Sequence, residues 1–101
     1  MGILSTNILA TISLVNKNIV GVRVRQARKI AKPRITQLDL VARLQLAGLS
    51  MDQSGLSKLE NGQRPVTDIE VVALAKALKV SAAWLLGETD ASPVSRADSA
   101  T

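Results

Sequence analysis

The side chains that could do chemistry in this sequence are mainly cations. The 101 residues include 13 Lys and Arg, 8 Asp and Glu, and no Cys or His, for a net charge of +5. Without Cys and His the chain lacks thiol nucleophiles, histidine general bases and zinc ligands of the Cys/His type. The acids do not cluster as a carboxylate metal site would require. We therefore expect no enzymatic activity, no metal and no cofactor.

The cations are concentrated in one block between Lys17 and Leu46. This block holds eight bases against one acid, Asp39, so its net charge is +7, whereas residues 47–101 hold five bases and seven acids. The eight bases are Lys17, Arg23, Arg25, Arg28, Lys29, Lys32, Arg34 and Arg43. A cationic patch suits a polyanion partner such as nucleic acid, although on charge alone a solvated helix face explains the block equally well.

Composition divides the chain into three segments. Residues 1–17 form an apolar N-terminal arm, residues 18–87 carry helical periodicity, and residues 88–101 are small and polar, which predicts a disordered tail. The apolar part of the arm is too short to span a bilayer and lacks the basic start of a signal peptide, so we expect a cytoplasmic protein that does not enter the membrane. The arm is expected to pack in a dimer, with a disordered extension as the alternative.

Four N-cap residues mark helix starts in the central segment: Thr36, Asp52, Thr67 and Ser81. A helix before them runs from about residue 18 to residue 31 or 32. It ends at Pro33, because the residue before a proline disfavours the helical region. Later helices are expected to end near Gly48, Gly62 and Gly87. No segment favours a strand, so the sequence predicts an all-α bundle of five short helices.

Apolar spacing predicts which side of each helix is buried. On the first and second helices the buried residues are Val20, Val24 and Ala27, then Leu40, Val41 and Leu44. On the fourth helix they are Ile69, Val72, Ala73 and the run from Ala75 to Leu78. Leu46, Leu49 and Met51 are expected to pack the turn that follows the second helix.

The second and third helices carry the most specific pattern, a capped helix, a turn and a short helix with a polar outer face. Its residues are Ile35-Thr36-Gln37, Leu40, Val41, Leu44, Ser54 and Leu56-Ser57-Lys58-Leu59-Glu60-Asn61-Gly62. Together with the run from Leu74 to Leu78, Val80-Ser81 and Trp84-Leu85-Leu86, they resemble the Xre family of phage-repressor and Cro-like helix-turn-helix regulators. The resemblance covers about residues 19–87 and implies a lambda-repressor-like five-helix bundle, here with an N-terminal arm.

The resemblance also implies roles for individual residues. Arg28 would pair with Glu60 and lock the first helix against the third. The residues that would contact base edges in the major groove are Gln53, Ser54, Ser57 and Lys58; glutamine suits adenine, and lysine suits guanine. The residues that would contact phosphates are Gln37, Asn61, Gln63 and Arg64, and Gln37 would also brace the first side chain of the third helix. Ordinary surface polarity is the alternative for Gln53, Ser54, Glu60 and Arg64.

The sequence departs from the family pattern at three places. The link through Pro33 and Arg34 is about two residues longer than usual. The segment from Gln45 to Met51 is about five residues longer than the usual turn, which leaves the angle of the recognition helix open. Leu38 is apolar where an acid or amide is expected.

These features predict sequence-specific binding of double-stranded DNA by a homodimeric transcriptional repressor located with the nucleoid. A protein-interaction module of the antitoxin type is the alternative. Its arm or tail would neutralise a partner protein, and the same fold would regulate its own gene.

Overall fold

Five helices joined by short turns make up residues 19–90, the part of the chain that this computed structural model describes. They are α1 Val20–Ile30, α2 Gln37–Leu46, α3 Gln53–Glu60, α4 Asp68–Leu78 and α5 Ala82–Leu85. The prediction of an all-α five-helix bundle is confirmed for these residues, which contain no strand. The arm, and the tail beyond residue 90, lie outside the described residues.

Side-chain caps start the four later helices at the predicted residues. The hydroxyls of Thr36 and Thr67 accept the amide N–H three residues on, and in each case the carboxylate at that third position accepts the N–H of the threonine, which completes a capping box. The side chains of Asp52 and Ser81 cap α3 and α5 in the simpler one-way form. Each such cap stabilises its helix by about 1 kcal/mol, which matters for helices this short.

The later helices end in a common hydrogen-bond pattern. The first or second residue past each helix end adopts a left-handed backbone. The next amide donates to a carbonyl five residues back, as in Leu49 N to Leu44 O at 2.9 Å and Gln63 N to Lys58 O at 2.9 Å. This is the Schellman motif. The left-handed position is glycine after α2, α3 and α5, but it is Lys79, with φ of 58°, after α4.

The core lies where α1, α3, α4 and α5 meet, with α2 packed against α3 and α4. Leu40, Leu44, Leu56, Leu59 and Leu74 are fully buried. The predicted stripe Val20, Val24 and Ala27 is buried. No described helix is long and apolar enough to cross a membrane.

The predicted buried face of α4 is partly wrong. Ile69 and Val72 are 69% and 51% exposed, whereas Val71 and Leu74 are buried. Because α4 is apolar on nearly all sides, spacing alone does not determine which side faces the core. Leu46 is also exposed, at 90%, and does not pack the turn as expected.

Lys79 should destabilise the fold through its backbone conformation. A side chain in the left-handed region costs about 1 kcal/mol, which glycine avoids. We expect Lys79→Gly to raise the free energy of unfolding by about 0.5–1 kcal/mol, measured by urea denaturation. Lys76→Gly is the matched control, because it removes the same charge inside α4 and should lower the free energy of unfolding by a similar amount. A loss of stability in both variants would contradict this explanation.

Candidate nucleic-acid interface

A buried ion pair joins the ends of α1 and α3. Arg28 donates from Nε to Oε2 of Glu60 at 2.6 Å and from Nη2 to Oε1 at 2.7 Å, and the Glu60 side chain is completely buried. Arg28 Nη1 also donates to the carbonyl oxygen of Ile35, at 3.0 Å. This bidentate contact fixes the orientation of the guanidinium relative to the carboxylate. The Arg28 side chain therefore holds together α1, α3 and the segment that leads into α2.

Two glutamines extend this ion pair to the start of α3. Gln37 Nε2 donates to Glu60 Oε1 at 3.1 Å, and Gln53 Nε2 donates to Gln37 Oε1 at 3.3 Å. A carboxylate only accepts hydrogen bonds, so the amide nitrogen of Gln37 must face Glu60 and its oxygen must face Gln53. We call Arg28, Glu60, Gln37 and Gln53 the polar network. It leaves Gln53 with one N–H and its amide oxygen, the donor and acceptor that an adenine edge requires.

The network keeps Glu60 charged. Burial alone would raise the pKa of Glu60, but hydrogen bonds from Arg28 and Gln37 and the charges of Arg28 and Arg25 outweigh burial, so the pKa lies below its usual value. Nε of Arg25 lies 3.5 Å from Glu60 Oε1, and its guanidinium also donates to Asn61 Oδ1. Glu60 is therefore an anion enclosed by two arginines of α1 and one glutamine of α2.

The outer face of α3 is polar. Its other face buries Leu56, Leu59 and Glu60. Four polar side chains, at helical spacing, lie on the outer face: Gln53, Ser54 and Lys58 are exposed, and Ser57 is half-buried. They are the four residues predicted to contact bases. The structure brings them together on one accessible surface, and contact with bases stays a prediction.

A cleft opens beside this surface at the N-terminus of α2. It is lined by Arg28, Lys29, Arg34, Ile35, Thr36, Gln37, Leu38 and Gln53. Lys29 and Arg34 are exposed, and the positive end of the α2 dipole faces the same space. A cationic cleft at a helix N-terminus can hold a phosphate oxygen.

Comparison with known proteins agrees with this geometry. A family model described as Helix-turn-helix matches residues 24–85, more than half of the chain. The chain belongs to that family. Its members are the Xre, Cro and lambda-repressor-like helix-turn-helix domains, which are regulatory DNA-binding domains and are not typically enzymes. The chain is therefore a DNA-binding helix-turn-helix regulator. α2, the turn that follows it and α3 have the arrangement of a helix-turn-helix motif. No curated protein and no solved structure matches it.

The turn of this helix-turn-helix motif comprises residues 47–52 and is ordered by its own contacts. The Schellman motif at Gly48 reverses the chain, and Leu49 and Met51 then pack against the core, as expected. Gly55 lies close to the N-cap residue of α3. A Cβ there would lie 3.0 Å from Asp52 Oδ1 and 3.4 Å from Met51 Cγ. The turn is thus anchored at both of its ends.

The residues that follow α3 differ in the contacts that hold them. Asn61 and Gln63 are exposed, and Asn61 accepts a hydrogen bond from Arg25. Arg64 Nη2 lies 2.7 Å from Glu70 Oε2, inside the capping box of α4. The sequence reasoning missed both arginine contacts. Arg25 lies off the apolar stripe of α1 and carries no motif, and no local pattern in the sequence pairs Arg64 with Glu70.

The pH dependence of folding should report the charge on Glu60. Its pKa is lowered in the fold, so its stabilising contribution is complete above the ordinary glutamate value of 4.5 and is lost as the pH falls through the folded-state value. Glu60→Gln should reduce the free energy of unfolding by about 3 kcal/mol at pH 7, because Arg28 is left buried without its counter-charge.

The two stability curves should converge as the pH falls below 4.5, measured by thermal denaturation at each pH. Glu88→Gln is the control, because Glu88 is exposed and its replacement should leave the curve unchanged. Parallel curves for the wild type and Glu60→Gln would show that Glu60 is not a stabilising anion.

Proposed function

We propose that this regulator is a sequence-specific repressor that binds double-stranded DNA as a homodimer. Each subunit inserts α3 into the major groove, and two subunits occupy successive grooves of an inverted repeat, about 34 Å apart. A dimer bound over a promoter blocks transcription by occupying the site. The protein acts where its operator is, in the nucleoid of the cytoplasm.

The polar network is the observation that carries this proposal. The amide of Gln53 is already oriented by Gln37, which is oriented by the buried Glu60. A side chain that is ordered before binding loses less conformational entropy when it meets its ligand. Surface glutamines without such support would have to be ordered by the DNA itself. The amide of Gln53 is thus oriented in advance to hydrogen-bond one arrangement of donor and acceptor on a base edge, which favours sequence-specific recognition.

The outer face of α3 supplies the base contacts of the proposal. Gln53 pairs with adenine, and Lys58 donates to O6 and N7 of guanine one helical turn away. Ser54 and Ser57 lie between them on the same face and suit either donors or acceptors. The side chains that read the sequence thus form one contiguous row.

Groups on either side of this row supply the phosphate contacts. Gln37 lies in the cationic cleft with Lys29 and Arg34, whereas Asn61, Gln63 and Arg64 follow the other end of α3. Arg64 also holds Glu70 through Nη2, so its guanidinium would be shared between Glu70 and the phosphate. Contacts on both sides of the base-reading row would fix the register of the helix on the duplex.

A selection of genomic fragments by the purified chain tests the function. We expect enrichment of an inverted repeat whose half-sites lie 10–10.5 base pairs apart, centre to centre, or a multiple of that spacing. Light scattering of the complex should give two subunits per repeat. Enrichment of single half-sites, with one subunit bound, would contradict the homodimer. The absence of any enriched sequence would contradict sequence-specific binding.

Alanine variants should separate the base contacts from the phosphate contacts. Gln53→Ala and Lys58→Ala should each weaken binding to the selected operator by about 1–3 kcal/mol, with little effect on random DNA. Arg64→Ala should weaken binding to both DNAs about equally and should lower the slope of log affinity against log salt by about one. Fluorescence anisotropy titrations measure both quantities.

Lys76→Ala is the matched control for Lys58→Ala, because both remove an exposed helical lysine but Lys76 lies on α4. It should leave operator binding unchanged. Melting curves should accompany the titrations, since Arg64→Ala also breaks the contact with Glu70. An equal loss on operator and random DNA for Gln53→Ala would contradict its assignment to a base.

A further inference from the structure

Leu38 is an exposed leucine in a polar neighbourhood. It is the second residue of α2, lies between Gln37 and Asp39, and is 62% exposed. Single exposed leucines are common on protein surfaces, so exposure alone carries no inference. The location of Leu38 in the cleft at the start of α2 is more informative.

Leu38 lines the same cleft as Gln37 and Gln53, next to the exposed cations Lys29 and Arg34. The other large exposed apolar residues of the described chain do not line this cleft; they are Ile19, Val22, Ile30, Leu46, Ile69, Val72 and Leu86. Leu38 is therefore the exposed apolar side chain on the face that carries the amides and cations of the proposed DNA contact.

The backbone of Leu38 is held in place before any ligand binds. Thr36 and Asp39 flank it in the capping box of α2, with hydrogen bonds of 3.0 and 3.1 Å between them. Gln37 is fixed in the polar network. Contact through Leu38 would require ordering only of its own rotamer, which leaves most of the hydrophobic gain available for binding.

The major groove offers one apolar group to such a side chain. The base edges there present hydrogen-bond donors and acceptors, and thymine adds its C5 methyl group. We propose that Leu38 is a specificity-determining residue that packs on a thymine methyl group beside the bases contacted by Gln53. This inference rests on the proposed binding of double-stranded DNA and adds a base contact outside the recognition helix.

Replacing thymine by uracil in the selected operator tests the inference, because uracil differs only in lacking the methyl group. Each thymine of a half-site is replaced in turn, and affinity is measured by fluorescence anisotropy with the full-length chain. With the wild type, one position should lose about three- to tenfold in affinity, the range expected for one buried methyl group. With Leu38→Ala, the same replacement should have no effect.

Leu46→Ala is the matched control, because Leu46 is an exposed leucine at the other end of α2. It should respond to uracil as the wild type does. Leu38→Ala is expected to keep its fold, since the side chain it loses is exposed, and a melting curve checks this.

The outcomes separate the inference from the function it rests on. Operator binding with the same uracil response in the wild type and Leu38→Ala would overturn the role of Leu38 and leave the repressor proposal standing. An equal loss by Leu38→Ala on operator and random DNA would assign Leu38 to the sugar-phosphate backbone and would also overturn the inference. A wild-type chain that selects no sequence would refute the proposed function, and the inference with it.

Discussion

The buried pair of Arg28 and Glu60 is the constraint on which the DNA-facing surface depends. Burying two charges removes them from water, and an ion pair in a protein interior seldom adds much to stability on balance. Its importance here is geometric. The carboxylate of Glu60, on α3, is bound by side chains from α1 and α2. These contacts fix the relative positions of the three helices. An apolar cluster of the same volume would hold the helices together but would not orient Gln37, and Gln53 would lose its fixed partner.

The turn between α2 and α3, residues 47–52, is held by contacts of its own. The contacts that position α3 come from the core and from the polar network, not from the turn. Leu49 and Met51 bury apolar surface along the turn, and the Schellman motif satisfies the last carbonyls of α2. Loop length itself costs little free energy when the ends of the loop are well anchored.

The starts and ends of the helices could be predicted from the sequence because they depend on local chemistry. Thr36 and Thr67 carry their caps within three residues, and glycines mark most of the ends. Contacts between distant residues depend on how the helices pack, and spacing alone did not determine them. Ile69 and Val72 lie on the surface because α4 is apolar on nearly all sides, and the contact between Arg64 and Glu70 had no local signature. The pairing of Arg28 with Glu60 was anticipated only through the family resemblance.

The positions on the outer face of α3 differ in how freely they can change during evolution, because only one of them belongs to the polar network. Gln53 is coupled through Gln37 to a buried charge, so a change there disturbs the support of the helix as well as its contact surface. Ser54 and Lys58 make no side-chain hydrogen bond within the described chain, so they can mutate without affecting the packing beneath them. Gene duplicates of this regulator could therefore diverge at 54 and 58 and acquire separate operators while inheriting an unchanged scaffold.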